Sequence, residues 1–257
     1  MLRLTNRIAV VTGGGSGIGQ AIAELFAERG AYVQILDRDE SHSEAVVERI
    51  GKGGGNVKFY TCDVSSQVSV NEAFEKIGES GQIKILVNNA GISHIGNIED
   101  TSDEDIEKVF RVNVKGVYNC LRACVPHMKV NGGGAILNMA SVAAFAGVSE
   151  RFAYSMSKGA VVSMTYSIAK DYLPFKIRCN CISPARVHTK FVDNYLNKRY
   201  PGHEAEMFQE LARSQPIGRM AEPREVASLA LFLCSDEAAF ITGTDYPVDG
   251  GFLRLNS

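Results

Sequence analysis

Short apolar, β-branched runs alternate with longer helical patterns along almost the whole sequence, and few folds accommodate that alternation. Arg7–Thr12, Tyr32–Asp37, Val57–Asp63, Ile83–Asn89, Ala135–Ser141 and Ile177–Ile182 read as strands, with a shorter one at Tyr246–Asp249. Between them, Gly17–Gly30, Ser41–Gly51, Ser66–Gly78, Ser102–Met128, Tyr154–Leu173 and Pro223–Cys234 read as helices. Strands apolar on both faces, each followed by a helix, predict an α/β fold: a doubly wound parallel sheet of these seven strands with helices on both faces. Such sheets bind ligands beyond the carboxyl ends of their strands, so functional residues are expected just after strands.

Nothing in the sequence reads as a linker. Gly51-Lys52-Gly53-Gly54-Gly55 and Asn131-Gly132-Gly133-Gly134 each join a helix to a strand and read as turns, so residues 1–257 are expected to form a single domain. One stretch leaves the alternation, from Pro184 to Gln215. It is polar, with helix-like pieces at Thr189–Tyr200 and His203–Ser214 split by Pro201-Gly202. Following the sixth strand, it is expected to lie over the carboxyl edge of the sheet as a substrate lid.

Charge and cysteine usage narrow the function class. Lys and Arg number 27 against 29 Asp and Glu, a net charge of -2, which offers no basic field for a nucleic-acid backbone. The first residues lack a signal-peptide pattern, and no apolar run has the length of a membrane span, so a cytoplasmic protein is expected. Cys62, Cys120, Cys124, Cys179, Cys181 and Cys234 form no CxxC pair and read as reduced, buried thiols. The five histidines are scattered, so no metal site is expected.

The first strand ends in Thr12-Gly13-Gly14-Gly15-Ser16-Gly17-Ile18-Gly19 and runs into a helix. Gly13, Gly15, Gly17 and Gly19 let backbone approach a pyrophosphate, with Ser16 and Ile18 beside it at the helix amino end. Asp37 ends the next strand, where a carboxylate accepts hydrogen bonds from the adenosine ribose hydroxyls and repels a 2'-phosphate. Arg38 adjoins it, but the glycine loop has no base to receive that phosphate, so NAD is expected over NADP. Asp63-Val64 and Asn88-Asn89-Ala90-Gly91 follow strands three and four and fall along the same groove. For Asn88, knitting backbone turns together is an equal alternative to ligand contact.

Tyr154-Ser155-Met156-Ser157-Lys158 carries the chemistry. Residues four apart share a helix face, and an ammonium beside a phenol lowers its pKa, so Tyr154 is expected to exchange a proton with an alcohol or carbonyl. Ser141, at the end of strand five, is placed to polarise the same substrate oxygen. Asn113 is a polar interruption in the Ser102–Met128 stripe, either relaying protons from Lys158 through a water or serving as a core amide that bends the helix.

Together, TGxxxGxG, NNAG, the helical Asn113, Ser141, YxxxK and Pro184 resemble the short-chain dehydrogenase/reductase family over nearly the whole chain, down to Asp249-Gly250-Gly251. The resemblance implies a Rossmann-type domain and a catalytic set of Asn113, Ser141, Tyr154 and Lys158. It further implies that Tyr154 and Lys158 contact the nicotinamide side of the cofactor, with Pro184, Val187 and Thr189 nearby, and that the subunits pair as a homotetramer. Where the family usually has Pro-Gly after strand six, this chain has Pro184-Ala185, which puts the local turn in doubt.

Two arginines bear on the substrate. Arg151 precedes Tyr154 by three residues, and Arg186 sits at the base of the expected lid. A guanidinium fork binds carboxylates in bidentate fashion, so a small hydroxy or keto acid is expected to be held by Arg151, Arg186 or both, its reacting oxygen at Ser141 and Tyr154. For each arginine a surface salt bridge is an equal alternative, and His188 reads as a solvated loop residue. The Pro184–Met207 stretch is similar to a subgroup that oxidises 2-keto-3-deoxy-L-fuconate at its C4 hydroxyl. A 3-hydroxybutyrate-type dehydrogenase, a 3-oxoacyl reductase and a non-catalytic NAD(H)-sensing module are the rival readings.

Overall fold

The computed structural model describes residues 2–255. Seven strands form one parallel sheet: β1 (Ile8–Thr12), β2 (Tyr32–Asp37), β3 (Asn56–Thr61), β4 (Ile83–Asn88), β5 (Gly134–Met139), β6 (Ile177–Pro184) and β7 (Asp245–Val248). Their order is β3-β2-β1-β4-β5-β6-β7. The chain winds outward from β1 to β3, then returns to place β4 on the other side of β1. At that reversal the connections after β1 and β4 leave toward opposite faces and open a crevice.

Strand residues alternate between two buried layers. Ala9 and Val11 of β1 join one cluster, packed against Ile22 and Phe26 of α1 (Gly17–Glu28). Ile8 and Val10 join the other, with Phe74 from the third helix. Each fully buried Val, Ile or Phe among them contributes roughly 1.5–3 kcal/mol. Helices α2 (Glu40–Lys52), α3 (Gln67–Glu79), α4 (Asp103–Val109), α5 (Gly116–Val130) and α6 (Phe152–Asp171) follow in the alternation. After β6 come α7 (Lys190–Arg199), α8 (Glu204–Arg213), α9 (Pro223–Cys234) and a short α10 (Phe252–Leu255). α9 spans the expected residues because its start is written locally, with Pro223 in the first turn and a capping box between Glu222 and Glu225.

Three features depart from the sequence reading. The single helix expected over Ser102–Met128 is split by a widened π-type segment, Phe110–Lys115, that contains Asn113. β5 stops at Met139 rather than Ser141, which instead opens a short turn at Val142–Ala144. β6 runs on to Pro184, which pairs with Val248, and Ala185 N–H then donates to the Val248 carbonyl at 3.1 Å. Ala185 is not in the left-handed region, so the turn after Pro184 does not require glycine. All six cysteines are free and buried, and burial raises the thiol pKa of Cys120, Cys124 and Cys179. No helix among the described residues is long and apolar enough to cross a membrane, and no three His, Cys, Asp or Glu side chains gather there to hold a metal ion.

Candidate active site

The ends of β1 and β4 are laced together by side chains. The Thr12 hydroxyl accepts from the backbone N–H of both Asn89 and Ala90 at 3.0 Å, while Asn89 Nδ2 donates to the carbonyls of Thr12 and Gly13 at 3.1 Å. Gly13 holds φ +66°, and a Cβ on Gly19 would stand 2.1 Å from the Gly13 carbonyl oxygen. This close approach explains the glycines better than flexibility does. The loop delivers the amino end of α1 to the crevice with no acidic residue in its first turn, and the N-cap Ser16 side chain makes no capping bond. An uncompensated helix amino end beside a close-packed glycine loop fits a pyrophosphate. Asp37 faces the loop, Oδ2 accepting from Gly15 N–H at 3.0 Å and Oδ1 from Asp39 N–H at 3.1 Å. Each oxygen keeps a lone pair for a ribose hydroxyl. The Asp63 carboxylate accepts from the backbone and hydroxyl of Ser65.

One cavity of about 730 Å³ runs along this edge. It is lined by Gly13, Ser16, Gly17, Ile18, Asp37, Asp63, Val64, Asn89, Ala90 and Gly91, and, farther on, by Ser141, Tyr154, Lys158, Pro184, Val187 and Thr189. Three expected residues stand behind its wall. Gly15 packs against Asp37 and Ser43, and Gly19 against Gly13 and Asn89. Asn113 accepts from Ile92 N–H at 2.8 Å and donates to Ile92 O and Ser157 Oγ at 2.9 and 3.0 Å. Both of its amide hydrogens are therefore engaged in tying the segment after β4 to α6, and one lone pair on Oδ1 remains. Asn88 lies outside the cavity, donating to Asn138 Oδ1 at 2.8 Å.

Lys158 is buried, its Nζ donating to the Met139 carbonyl at 2.7 Å and standing 5.6 Å from the centre of the Tyr154 ring. Burial lowers its pKa from 10.5 to about 8, so it remains largely cationic at neutral pH. The expected lowering of the phenol pKa by this ammonium is not the balance found. Burial pushes the Tyr154 phenol upward, and the groups that oppose it are the Ser141 hydroxyl and the Arg151 guanidinium. The ammonium lies toward the ring and is held by the Met139 carbonyl, so it is not spent on the phenol oxygen.

Arg151 and Arg186 face the same cavity. Arg151 follows Glu150, which holds an unusual left-handed φ of 56° and is pinned by Gly96 N–H donating to its carbonyl at 2.9 Å. Arg186 Nε donates to Ser214 Oγ at 3.0 Å. Burial and the nearby Arg151 charge pull the Arg186 pKa down, while Tyr195 and Glu210 oppose them. Neither guanidinium has a carboxylate within salt-bridge distance among the described residues. His188 pairs with Asp193 at 2.9 Å and packs edge-on to Phe208, away from the cavity.

The motifs did not indicate Tyr195 and Tyr200 of the α7 region, Gln215 after α8 or Phe252 of α10, all of which line the cavity. Tyr195 and Tyr200 form an edge-to-face pair, ring centres 6.0 Å apart. No local pattern marks these positions; only the path of the chain after β6 and β7 brings them in.

The description Enoyl-(Acyl carrier protein) reductase belongs to the family model that matches residues 13–253. The chain is 38% identical to an uncharacterized oxidoreductase of Thermotoga maritima, covering 97% of this chain and 98% of that one. It is 36% identical to D-threitol dehydrogenase of Mycolicibacterium smegmatis, covering 97% and 94% respectively. Among solved structures it is similar to L-sorbose reductase from Gluconobacter frateurii complexed with NADPH and L-sorbose, with a TM-score of 0.94 at 32% identity over 98% of both chains. With its parallel seven-stranded sheet and these relatives, the chain belongs to the short-chain dehydrogenase/reductase family of oxidoreductases.

Proposed function

We propose that the chain is an NAD-dependent dehydrogenase that interconverts a secondary alcohol and a ketone on a small hydroxy or sugar acid, 2-keto-3-deoxy-L-fuconate being the leading candidate. The observation that carries this reading is the pair of guanidiniums, Arg151 and Arg186, in one cavity with Tyr154, neither with a described carboxylate within salt-bridge distance. Two converging cations suit a carboxylate. The dinucleotide, when bound, supplies the hydride acceptor or donor and, oxidised, a positive ring charge. Asp37 would hold its adenosine ribose and Lys158 its nicotinamide ribose, with Thr189 at the carboxamide.

Tyr154 then removes the alcohol proton, or returns it to the ketone, while the Ser141 hydroxyl donates to the same oxygen. Asn113 supports this set from behind, by fixing Ile92 and the Ser157 side of α6. Residues 184–215 act as a lid over a single catalytic domain. Exposed Phe110, Phe152, Met156 and Tyr166 on the helices flanking the site support association into a homotetramer, working in the cytoplasm.

A second reading, a polyol or ketose oxidoreductase without carboxylate preference, is favoured by the names of the threitol and sorbose relatives. Initial rates over a panel of sugar acids, 3-hydroxybutyrate and polyols, each with NAD and NADP, separate the two. On our reading, Arg151→Ala and Arg186→Ala each lower kcat/KM for acids by about 10- to 100-fold, as expected for loss of a charged hydrogen bond, with little change for polyols. Equal rates for acids in both variants would remove the carboxylate clamp. Asp37 predicts at least a tenfold preference for NAD, on the order of one lost charge interaction; faster turnover with NADP would reverse the cofactor assignment.

A further inference from the structure

The lid presents to the cavity a carboxylate that neither the glycine loop nor the proton-transfer set uses. From α8, Met207, Glu210 and Leu211 line the cavity. Residues three and four apart share one helix face, so these side chains form the stripe that α8 turns toward the ligand space. Ser214 continues that stripe, and its Oγ accepts from Arg186 Nε at 3.0 Å. The opposite flank of α8, with Ala205, Phe208 and Gln209, borders a separate hollow beside α7.

Glu210 is exposed within the cavity-facing stripe. Among the described residues, none forms an ion pair or a side-chain hydrogen bond with its carboxylate. Its charge is nevertheless felt at Arg186, where it opposes the fall in guanidinium pKa caused by burial. The carboxylate therefore stands on the Arg186 side of the cavity, beyond salt-bridge distance and open to a ligand. A carboxylate only accepts hydrogen bonds, through about four lone-pair sites, and a guanidinium only donates them. Facing one ligand space, the two sort a substrate by polarity: an anionic group suits Arg186, and hydroxyl hydrogens suit Glu210.

We propose that Glu210 is a specificity-determining residue, its carboxylate accepting hydrogen bonds from chain hydroxyls of the substrate. The site thereby selects a polyhydroxylated chain over one that carries alkyl groups in that place. The acid part of this substrate rests on the carboxylate reading above; the hydroxyl recognition does not. A site built to pair a substrate hydroxyl discriminates strongly against an analogue that lacks it.

The test compares wild type with Glu210→Leu, which fills the place without an acceptor, and with Glu210→Ala, which empties it. The full chain is assayed with dinucleotide on 2-keto-3-deoxy-L-fuconate, 3-hydroxybutyrate, threitol and 2-butanol. Ligand-induced shifts of the unfolding temperature give a readout independent of turnover. In both variants kcat/KM for the sugar acid falls at least about tenfold further than that for 3-hydroxybutyrate, and the sugar-acid unfolding shift shrinks with it. If Glu210 only offsets the charge of Arg186, both acids improve together in the variants, and the proposal fails. If instead the carboxylate reading fails, Arg186→Ala spares both acids. Glu210 must then still separate threitol from 2-butanol by about the same tenfold factor. A loss with Glu210→Leu alone, which would mark obstruction, would overturn the proposal. So would parallel changes on all four probes, no change on any, or a wild type that neither oxidises nor is stabilised by the hydroxylated ones.

Discussion

The two ends of the cavity are built in different ways. At the dinucleotide end, Thr12, Asn89 and Asp37 bond to backbone of the glycine loop and of the segment after β4, and added Cβ atoms would collide with main chain. At the proposed substrate end, Arg151, Arg186, Tyr195 and Gln215 come from three separate segments and meet mostly through long side chains. Backbone built on backbone is rigid before any ligand arrives, whereas a wall of long side chains is free to diverge among relatives that share the sheet.

The largest expected effect lies where the two ends meet. Tyr154→Phe removes the proposed proton carrier without touching the glycine loop, so kcat is expected to fall by roughly 10²- to 10⁴-fold while dinucleotide binding, followed by fluorescence titration, stays near wild type. Retained turnover in that variant would place the proton transfer elsewhere.

Next comes a paired glycine test of rigidity. Gly19→Ala puts a methyl 2.1 Å from the Gly13 carbonyl oxygen, which is main chain, and 2.4 Å from Asn89 Nδ2. Overpacking of this kind costs about 1–3 kcal/mol, read as a lower denaturant midpoint, and weakens dinucleotide binding with it. Gly147→Ala, in the loop leading to Arg151, meets nothing within 4 Å and should leave the midpoint unchanged. If both variants behave alike, the claimed difference in construction does not hold.

The smallest effect concerns Lys158, at the junction. Its folded pKa, about 8, lies below the usual 10.5, so the unfolded chain binds the proton more tightly and stability rises with pH across that interval. The raised phenol pKa of Tyr154 acts in the opposite sense above about pH 10, when unfolded tyrosine ionises first. Between pH 8 and 10 the wild type should therefore gain roughly 1–2 kcal/mol relative to Lys158→Met, measured by denaturant unfolding. A constant difference between the two proteins over that range would mean that Lys158 is not held in a desolvated state.

Legibility followed the same division. Tyr32–Asp37 and Pro223–Cys234 were readable to the residue because apolar runs, caps and the proline in the first turn are local. The Ser102–Met128 helix was read as one piece, with Asn113 marking a bend as one of its two readings but nothing local fixing the extent of the widened turn. There Asn113 bonds to Ile92 across the fold, and that long-range bond accompanies the change in helix geometry. The phenol's surroundings were misjudged for a related reason. Helical spacing put Lys158 beside Tyr154, but burial of both groups decided the charge balance, and the ammonium donates to the Met139 carbonyl instead of the phenol.

By itself the sequence determined the parallel sheet, the glycine loop with Asp37 beyond it, and the Tyr154/Lys158 spacing, because periodicity, glycine sterics and helix pitch act over a few residues. Only the tertiary structure decided which further side chains join Arg151 and Arg186 at the proposed substrate end. Arg186, Ser214 and Gln215 become neighbours through the path of the chain after β6, and contact between segments so far apart is set by packing that no local pattern encodes.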